Sequence, residues 1–140
     1  MGVKLRYSFT LVAIFGIFAV GKGPHSQAEA DPRSITALAW SADGTQLALG
    51  MGDGRISIVE AASQQILITW QAHVYQVLNL AWSYDGTRLI SGSTEAKVWT
   101  TTGELIHTFE IESGSAVSEV DWFPSDVYIL VSDSEVDTNI

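Results

Sequence analysis

The chain has 140 residues, of which 46% are hydrophobic, and it carries a formal net charge of −9 at pH 7 and no cysteine. The lack of cysteine excludes disulfides, thiolate nucleophiles and zinc–thiolate sites. The acidic balance opposes binding to phosphate backbones and to anionic membranes, so nucleic acid is not an expected partner.

The first thirty residues are typical of a secretory signal peptide. Lys4 and Arg6 give a basic start, and residues 9–21 are apolar or small apart from one threonine. Ala28 and Ala30 form the small-x-small pattern of a cleavage site. The apolar core is shorter than the ~20 residues that a helix needs to span a bilayer. We therefore expect cleavage after Ala30.

Cleavage would release residues 31–140, beginning at Asp31, into the periplasm or the extracellular space. This part holds four basic and fifteen acidic side chains, a net charge of −11. With the signal removed, no stable membrane span is expected. The alternative is an uncleaved chain that stays anchored in the membrane through residues 9–21.

A repeated string is the strongest signal after the first thirty residues. The string Leu-Ala-Trp-Ser-x-Asp-Gly-Thr-x-Leu begins at Leu38 and again at Leu80, a period of 42 residues. A third, weaker copy places Trp122 40 residues after Trp82. A period in the range of roughly 40–45 residues is typical of one four-stranded propeller blade.

Alternation of apolar and polar residues, with Asp-Gly and Gly-Asp-Gly turns between the runs, predicts the strands. The first unit has predicted strands at 35–40, 46–50, 56–58 and 66–70. The second has them at 77–82, 89–91, 97–100 and 105–111. The third has two, at 117–123 and 127–131. No sustained helical periodicity follows residue 30.

The predicted fold class is all-β. It is a partial β-propeller with two complete four-stranded blades and half a third, preceded by an apolar signal helix. The expected organisation is a signal peptide over 1–30 and a propeller fragment over 31–140. Within that fragment we expect blade 1 at about 35–70, blade 2 at about 77–111, partial blade 3 at about 117–132 and a frayed acidic tail at 133–140.

The second unit carries Ala72-His73, the string at residues 80–87, a Ser-Gly-Ser stretch at 91–93 and Trp99-Thr100, in that order. This order resembles the WD repeat, whose features are a Gly-His pair, an Asp-Gly turn after a strand, a Ser-Gly-Ser stretch and a closing Trp-Asp. The resemblance covers nearly all of residues 35–132. Ala72 and Thr100 depart from the family's Gly and Asp.

The resemblance implies a structural brace in blade 2. In that family an Asp, a His, a Ser or Thr and a Trp hydrogen-bond in series within a blade. The four counterparts here are His73, Ser91, Trp99 and Glu95, with Glu95 standing in place of the turn Asp. Blade 1 has Asp53 in that turn, but Leu49 and Val59 replace the hydroxyl and the indole.

No catalytic, cofactor-binding or metal-binding constellation is predicted, and the chain is interpreted as a protein without enzyme activity. His73 is explained by the brace, His25 lies in the signal segment, and His107 lies in a predicted strand. The alternating carboxylates at 133–137 lack the central Gly and the distant Glu of a calcium loop. No cofactor is expected.

The five tryptophans are assigned mainly to packing. Trp40, Trp82 and Trp122 share one repeat position and are predicted to pack between blades. Trp99 falls in a third strand. Trp70, which ends a fourth strand just before a loop, is the one possible surface contact, although core packing is the favoured interpretation.

The resemblance implies a binding function without catalysis: an exported scaffold for protein–protein interaction whose loops contact an unidentified partner. One alternative is a component of an envelope or transport complex that resembles the Tol-type periplasmic propellers, whose repeats carry Trp-Ser-Pro-Asp-Gly. A second alternative is a short-chain propeller lectin or hydrolase assembled by oligomerisation.

The blade count predicts further association. A closed propeller has about four to eight blades, each covered by its neighbours on both faces. Two and a half blades leave two faces open, so we expect self-association or completion by other blades. An incomplete set of two and a half blades is also expected if the chain is a shortened piece of a larger propeller.

Overall fold

The computed structural model describes residues 33–111 and 115–133. The predicted signal peptide, the alternative anchor at 9–21 and residues 134–140 of the predicted tail lie outside these residues. The described part is built from strands and turns. It contains no helix of the length and apolar character required to span a membrane.

Ten strands form three antiparallel sheets, each a blade. Blade 1 has the order β1-β2-β3-β4, with β1 Ile35–Trp40, β2 Gln46–Met51, β3 Arg55–Glu60 and β4 Ile66–Gln71. Blade 2 has the order β5-β6-β7-β8, with β5 Asn79–Trp82, β6 Arg88–Gly92, β7 Glu95–Thr100 and β8 Leu105–Glu110. Blade 3 pairs β9 Val117–Trp122 with β10 Ile129–Asp133. The prediction of an all-β partial propeller is confirmed.

Nine of the ten predicted strands differ from the observed strands by one or two residues at one or both ends, and the starts of β5 and β10 have a structural cause. β5 begins at Asn79, two residues later than expected, because the Val77 amide donates to the Met51 carbonyl of blade 1 at 3.1 Å. β10 begins at Ile129 because Val127 lies in the turn after β9, and it extends to Asp133, the first residue of the expected tail.

The repeated Ser-x-Asp-Gly-Thr string forms a tight turn held by one carboxylate. Asp43 Oδ1 accepts hydrogen bonds from the Ser41 hydroxyl at 2.7 Å, the Thr45 amide at 3.0 Å and the Thr45 hydroxyl at 2.9 Å. Gly44 follows at φ +71°, a conformation that a side chain disfavours. The string recurs because each of these residue types has a role in closing the turn.

The second turn repeats this geometry. Asp85 Oδ1 accepts from the Ser83 hydroxyl at 2.6 Å and from the Thr87 amide and hydroxyl at 2.9 and 2.8 Å. These hydrogen bonds, with that from Ser83 the largest, lower the pKa of the Asp85 carboxyl to about 2. The carboxylate is therefore ionised at neutral pH, which is the form that accepts all three bonds.

The third turn departs from the string and joins two blades. Asp126 occupies the glycine position at φ 54°. Its two carboxylate oxygens accept the amides of Tyr84 and Asp85 in the preceding turn, each at 2.7 Å. The Arg88 guanidinium donates to the Asp126 carbonyl at 3.1 Å and lies 4.6 Å from the Trp122 ring centroid. Asp126 thus links the turn of blade 3 to that of blade 2.

The blades pack face to face through two apolar clusters. The buried members of the first, between blades 1 and 2, are Ala48, Ile56, Ile58, Ala72, Val77, Trp82, Leu89 and Trp99. Those of the second, between blades 2 and 3, are Ile90, Ala96, Val98, Val117, Val120 and Trp122. Each blade of this size is too thin to enclose a core by itself, so the core lies between blades.

The repeated tryptophans connect the inner strands of successive blades. Trp82 Nε1 donates to the Ala39 carbonyl at 3.0 Å, and Trp122 Nε1 donates to the Ala81 carbonyl at 3.1 Å. Trp82 and Trp122 are 7% and 4% exposed, whereas Trp40 is 52% exposed. The expectation that Trp40 packs between blades is wrong for the described residues, because within them no blade precedes β1.

Two glycines permit the close approach of blades. A Cβ at Gly50 would lie 2.6 Å from Val77 Cγ1, and a Cβ at Gly92 would lie 2.6 Å from Val117 Cγ1. Each glycine therefore leaves room for a valine of the following blade, and the contact repeats at both interfaces.

The paired tryptophans allow a matched test, because Trp82 and Trp40 stand in identical local sequence. We expect Trp82→Phe to lower the free energy of unfolding by about 1–3 kcal/mol, since it removes a buried hydrogen bond to Ala39 and part of the packed indole. Trp40→Phe should change it by less than about 0.5 kcal/mol. Chemical denaturation of both variants measures the difference, and equal losses would contradict the arrangement.

Candidate functional site

The imidazole of His73 lies at the centre of a buried hydrogen-bond chain in blade 2. The His73 side chain is fully buried. Its Nε2 lies 2.7 Å from Ser91 Oγ, and Trp99 Nε1 donates to the same oxygen at 2.8 Å. Its Nδ1 lies 3.1 Å from Glu95 Oε1. The structure thus brings together all four residues that the sequence assigns to the brace.

These contacts define the protonation state of His73. The Glu95 carboxylate can only accept, so Nδ1 carries the proton and Nε2 accepts the Ser91 hydroxyl hydrogen. Burial lowers the pKa of His73 below its ordinary value, and the hydrogen bond to Glu95 opposes this effect only in part. His73 is therefore neutral at pH 7, and both ring nitrogens are occupied by partners within the blade.

Glu95 connects the brace to the surface. Burial alone would raise its pKa, but hydrogen bonds from Lys97, Thr94 and His73 outweigh burial and lower the pKa to about 2. Lys97 Nζ lies 2.9 Å from Glu95 Oε1 and donates to the Ala72 carbonyl at 3.1 Å. The ionised carboxylate and the ammonium thus tie β7 to the chain segment that carries His73.

Blade 1 has Asp53 in the turn where blade 2 has Glu95, and it forms different hydrogen bonds. Asp53 accepts the Arg55 amide at 3.2 Å and the Arg55 Nε at 2.7 Å. In the strand pair β3–β4, Ser57 and Thr69 hydroxyls hydrogen-bond at 2.7 Å. Within the described residues, the four-membered brace occurs in blade 2.

Trp70, the predicted possible surface contact, is partly buried at the interface of blades 1 and 2. Its ring centroid lies 5.9 Å from that of Trp99, and its ring lies against Gly103, where an added Cβ would be 3.1 Å from Trp70 Cδ2. Its indole nitrogen is buried and has no hydrogen-bond partner among the residues that the structure describes. Packing between blades accounts for this residue because both contacts come from blade 2.

The remaining chemistry-bearing residues do not converge. His107 is exposed on β8, where its ring packs edge-on against Phe109 at 4.4 Å between centroids. Within residues 33–111 and 115–133, no group of three His, Asp or Glu side chains is arranged to hold a metal ion. A separate feature of the described residues is an exposed apolar surface between β4 and β5.

That surface is the β4–β5 loop, residues 72–78. Val74 is 84% exposed and Tyr75 is 63% exposed. Sequence analysis singled out His73 in this loop but not Val74 or Tyr75. The available signal was an adjacent aliphatic and aromatic pair placed between two predicted strands.

The backbone of the β4–β5 loop is held on both sides of this pair. The amides of Ala72 and His73 both donate to the Gly54 carbonyl at 3.0 Å. The Gln71 side chain donates to the His73 carbonyl at 2.7 Å, and the Ser93 hydroxyl donates to the Gln76 carbonyl at 2.8 Å.

Gly54 is required for the close approach of this loop. It adopts φ +83°, and a Cβ there would lie 2.1 Å from the His73 carbonyl oxygen. The buried side chain of His73 anchors the start of the loop. The result is an ordered backbone that presents two apolar side chains to solvent.

The brace makes a prediction about stability and its pH dependence. We expect His73→Ala to lower the free energy of unfolding by about 1–3 kcal/mol at pH 7.5, because Ser91 and Glu95 lose a buried partner. Because folding lowers the pKa of His73, wild-type stability falls as pH drops below the ordinary value of 6.5. The variant lacks this loss, so the difference should narrow at pH 5.5.

Thermal and denaturant unfolding at the two pH values measure this effect. His107→Ala, at an exposed histidine of β8, serves as the matched control and should stay within about 0.5 kcal/mol of the wild type. A His73→Ala variant with unchanged stability at pH 7.5 would contradict the brace.

Comparison with known families agrees with this architecture. The family model described as the WD40 domain of anaphase-promoting complex subunit 4 matches residues 11–85, which is just over half of the chain. The matched range includes part of the predicted signal peptide. No curated protein matches the chain. Because this match covers more than half of the chain, and because two of its blades fold as four-stranded antiparallel sheets, the chain belongs to this WD40 domain family.

Proposed function

We propose that this chain is an exported binding module without catalytic activity, which contacts a partner protein through the β4–β5 loop. The WD40 domain and its β-sheet blades support a protein–protein interaction module. The observation that carries the choice of surface is the exposure of Val74 and Tyr75 on a backbone held by hydrogen bonds.

The ordered backbone favours binding. Association costs free energy for every segment that must become ordered, and a loop already fixed by hydrogen bonds avoids much of this cost. The amides of Ala72 and His73 are bonded to Gly54, and the Gln76 carbonyl is bonded to Ser93. The exposed side chains of Val74 and Tyr75 are groups that a partner would order.

The composition of the loop suits the centre of a protein interface. Tyrosine is enriched at interfaces because its ring provides apolar contact area and its hydroxyl provides a hydrogen bond. Val74 adds adjacent apolar area. The net charge of −11 expected after signal cleavage favours a partner with a basic surface around the contact, since complementary charge speeds encounter and disfavours other partners.

Export is supported by the basic start, the apolar residues 9–21 and the Ala28-x-Ala30 site. N-terminal sequencing of protein recovered outside the cytoplasm should give Asp31 as the first residue. Ala30→Asp, which alters the cleavage site, should leave the chain unprocessed. A wild-type product that keeps residues 1–30 in the membrane fraction would contradict export as a released protein.

The role of the loop in binding can be tested by comparing which exported proteins the wild type and its variants retain. Val74→Ser combined with Tyr75→Ser should reduce retention of the partner from the exported fraction by about tenfold or more, because truncating central interface anchors costs about 2 kcal/mol or more. The matched control is Ile66→Ser with Leu67→Ser, two exposed apolar residues of β4. Quantitative mass spectrometry of the retained proteins measures the ratio.

The comparison separates loop-dependent binding from general adhesion. A partner kept by the wild type and by the β4 control, and lost with the loop variant, supports the proposal. Equal retention of every protein by the wild type and the loop variant would contradict it.

A further inference from the structure

The outer edge of blade 1 is an open strand edge. Among the described strands, β4, Ile66–Gln71, pairs with β3 alone. This edge lies in the plane of the sheet, so its exposure does not depend on what packs against the two faces of the blade. The equivalent edge of blade 2, on β8, is open as well, although blade 2 lies between two other blades.

The pairing of β4 with β3 shows which backbone groups this edge presents. The Ala72 amide donates to the Gly54 carbonyl at 3.0 Å, which makes these two residues a hydrogen-bonded pair. Such pairs alternate along an antiparallel ladder, so Thr69 and the opposite Ser57 form a pair without backbone hydrogen bonds. Their hydroxyls hydrogen-bond at 2.7 Å, which fits the closer side chains of such a pair. The amide and carbonyl of Thr69 therefore point away from β3, toward the outer edge.

The chain around this edge is uncharged. Residues 61–71 contain no Asp, Glu, Lys or Arg and no proline, in a chain whose net charge is −9. Natural proteins usually protect an edge strand from pairing with another chain by a charged side chain or a proline. A bulge bends the start of β4 but leaves residues 68–71 in regular register. The regular part of β4 thus keeps an unprotected hydrogen-bonding edge.

The edge of β8 has the same geometry but a different charge. Thr108 occupies the position of Thr69, because each lies one residue beyond the pair at which the bulge begins. Glu104 immediately precedes β8 and Glu110 ends it, and both are exposed. Two copies of β8 side by side in antiparallel orientation would bring these acidic ends together, and like charges across strands are destabilising.

An uncharged strand of a second copy is the occupant that fits the β4 edge. Antiparallel pairing of two β4 strands places uncharged residues opposite uncharged residues, so the acidic balance of the whole chain is not concentrated at the contact. The contact is self-complementary and closes after two molecules. Pairing of β4 with β8 of another molecule would instead leave an open edge on each molecule and continue into chains.

We propose that β4 is a strand-addition site that pairs antiparallel with β4 of a second copy of this chain, about a two-fold axis at Thr69. The Thr69 amide of each copy donates to the Thr69 carbonyl of the other, and Leu67 of one copy lies opposite Gln71 of the other. The two blades then form one continuous sheet. This contact uses the strand edge and neither face of a blade.

The test removes the outward amide at one edge or the other. Thr69→Pro deletes the amide that points to the second copy and leaves the hydrogen bonds to β3, since a proline is tolerated where the N–H faces outward. Thr108→Pro makes the same change on β8 and is the matched control. Thr69→Val keeps the amide and removes only the hydroxyl contact with Ser57.

Sedimentation velocity over a concentration series of each purified chain gives the outcome. We expect the wild type to form a dimer whose dissociation constant is at least about tenfold higher in Thr69→Pro, whereas Thr108→Pro and Thr69→Val keep the wild-type value. Hydrogen exchange of the Thr69 amide should slow as the concentration rises, and exchange at Thr108 should not change.

Two further variants separate this contact from other surfaces. Trp40→Ala, on the face of blade 1, should leave the dimer intact, because the strand edge does not involve that face. The Val74→Ser, Tyr75→Ser variant should also dimerise, so loss of partner capture through the β4–β5 loop and loss of the dimer are independent results.

Three results would overturn the proposal. They are a wild type that remains monomeric at about 1 mM, a dimer that a folded Thr69→Pro variant retains, and a dimer that Thr108→Pro weakens as much as Thr69→Pro does. Circular dichroism verifies folding. If Thr69→Pro does not fold, Thr69→Lys places two ammonium groups opposite each other at the two-fold axis, and the same loss of affinity is expected relative to Thr108→Lys.

Discussion

The structure depends on the burial of one apolar side of each blade against small residues of the blade before it. A four-stranded sheet has two faces and no interior, so its stability comes from its neighbours. Here the contact is specific: a valine enters the recess at a glycine, and a tryptophan donates to the carbonyl that precedes the equivalent tryptophan. The same contact sets the distance between blades and leaves the first copy, with Trp40, open.

The brace in blade 2 connects this packing to the contact surface. Trp99 belongs to the cluster between blades 1 and 2 and donates to Ser91, which in turn is bonded to His73. His73 is the second residue of the β4–β5 loop, and its amide donates to the Gly54 carbonyl of blade 1. The loop that presents Val74 and Tyr75 is therefore fixed by the residues that hold two blades together. Disturbing the brace should affect both stability and the presentation of the loop.

Much of this fold could be predicted because its local signals are strong. The Ser-x-Asp-Gly-Thr string encodes a turn closed by its own carboxylate, and the period of the repeat places the strands. Two features that depend on contacts between blades were not predicted. The third copy of the repeat is weak in the sequence, yet the Asp126 carboxylate in its turn accepts two amides of the preceding turn. The exposure of Trp40 could not be read from a string identical to that of Trp82, since it depends on whether a blade lies in front.

Hydrogen exchange of the indole N–H groups, followed by NMR on the purified chain, tests the central claim most directly. The account requires Trp82 and Trp122 to be protected, because each is buried and donates to a carbonyl of the preceding blade, and Trp40 to exchange rapidly with solvent. A Trp40 indole protected to the same degree as the other two would contradict the account. It would mean that the apolar side of blade 1 that carries Trp40 is already covered in the chain alone.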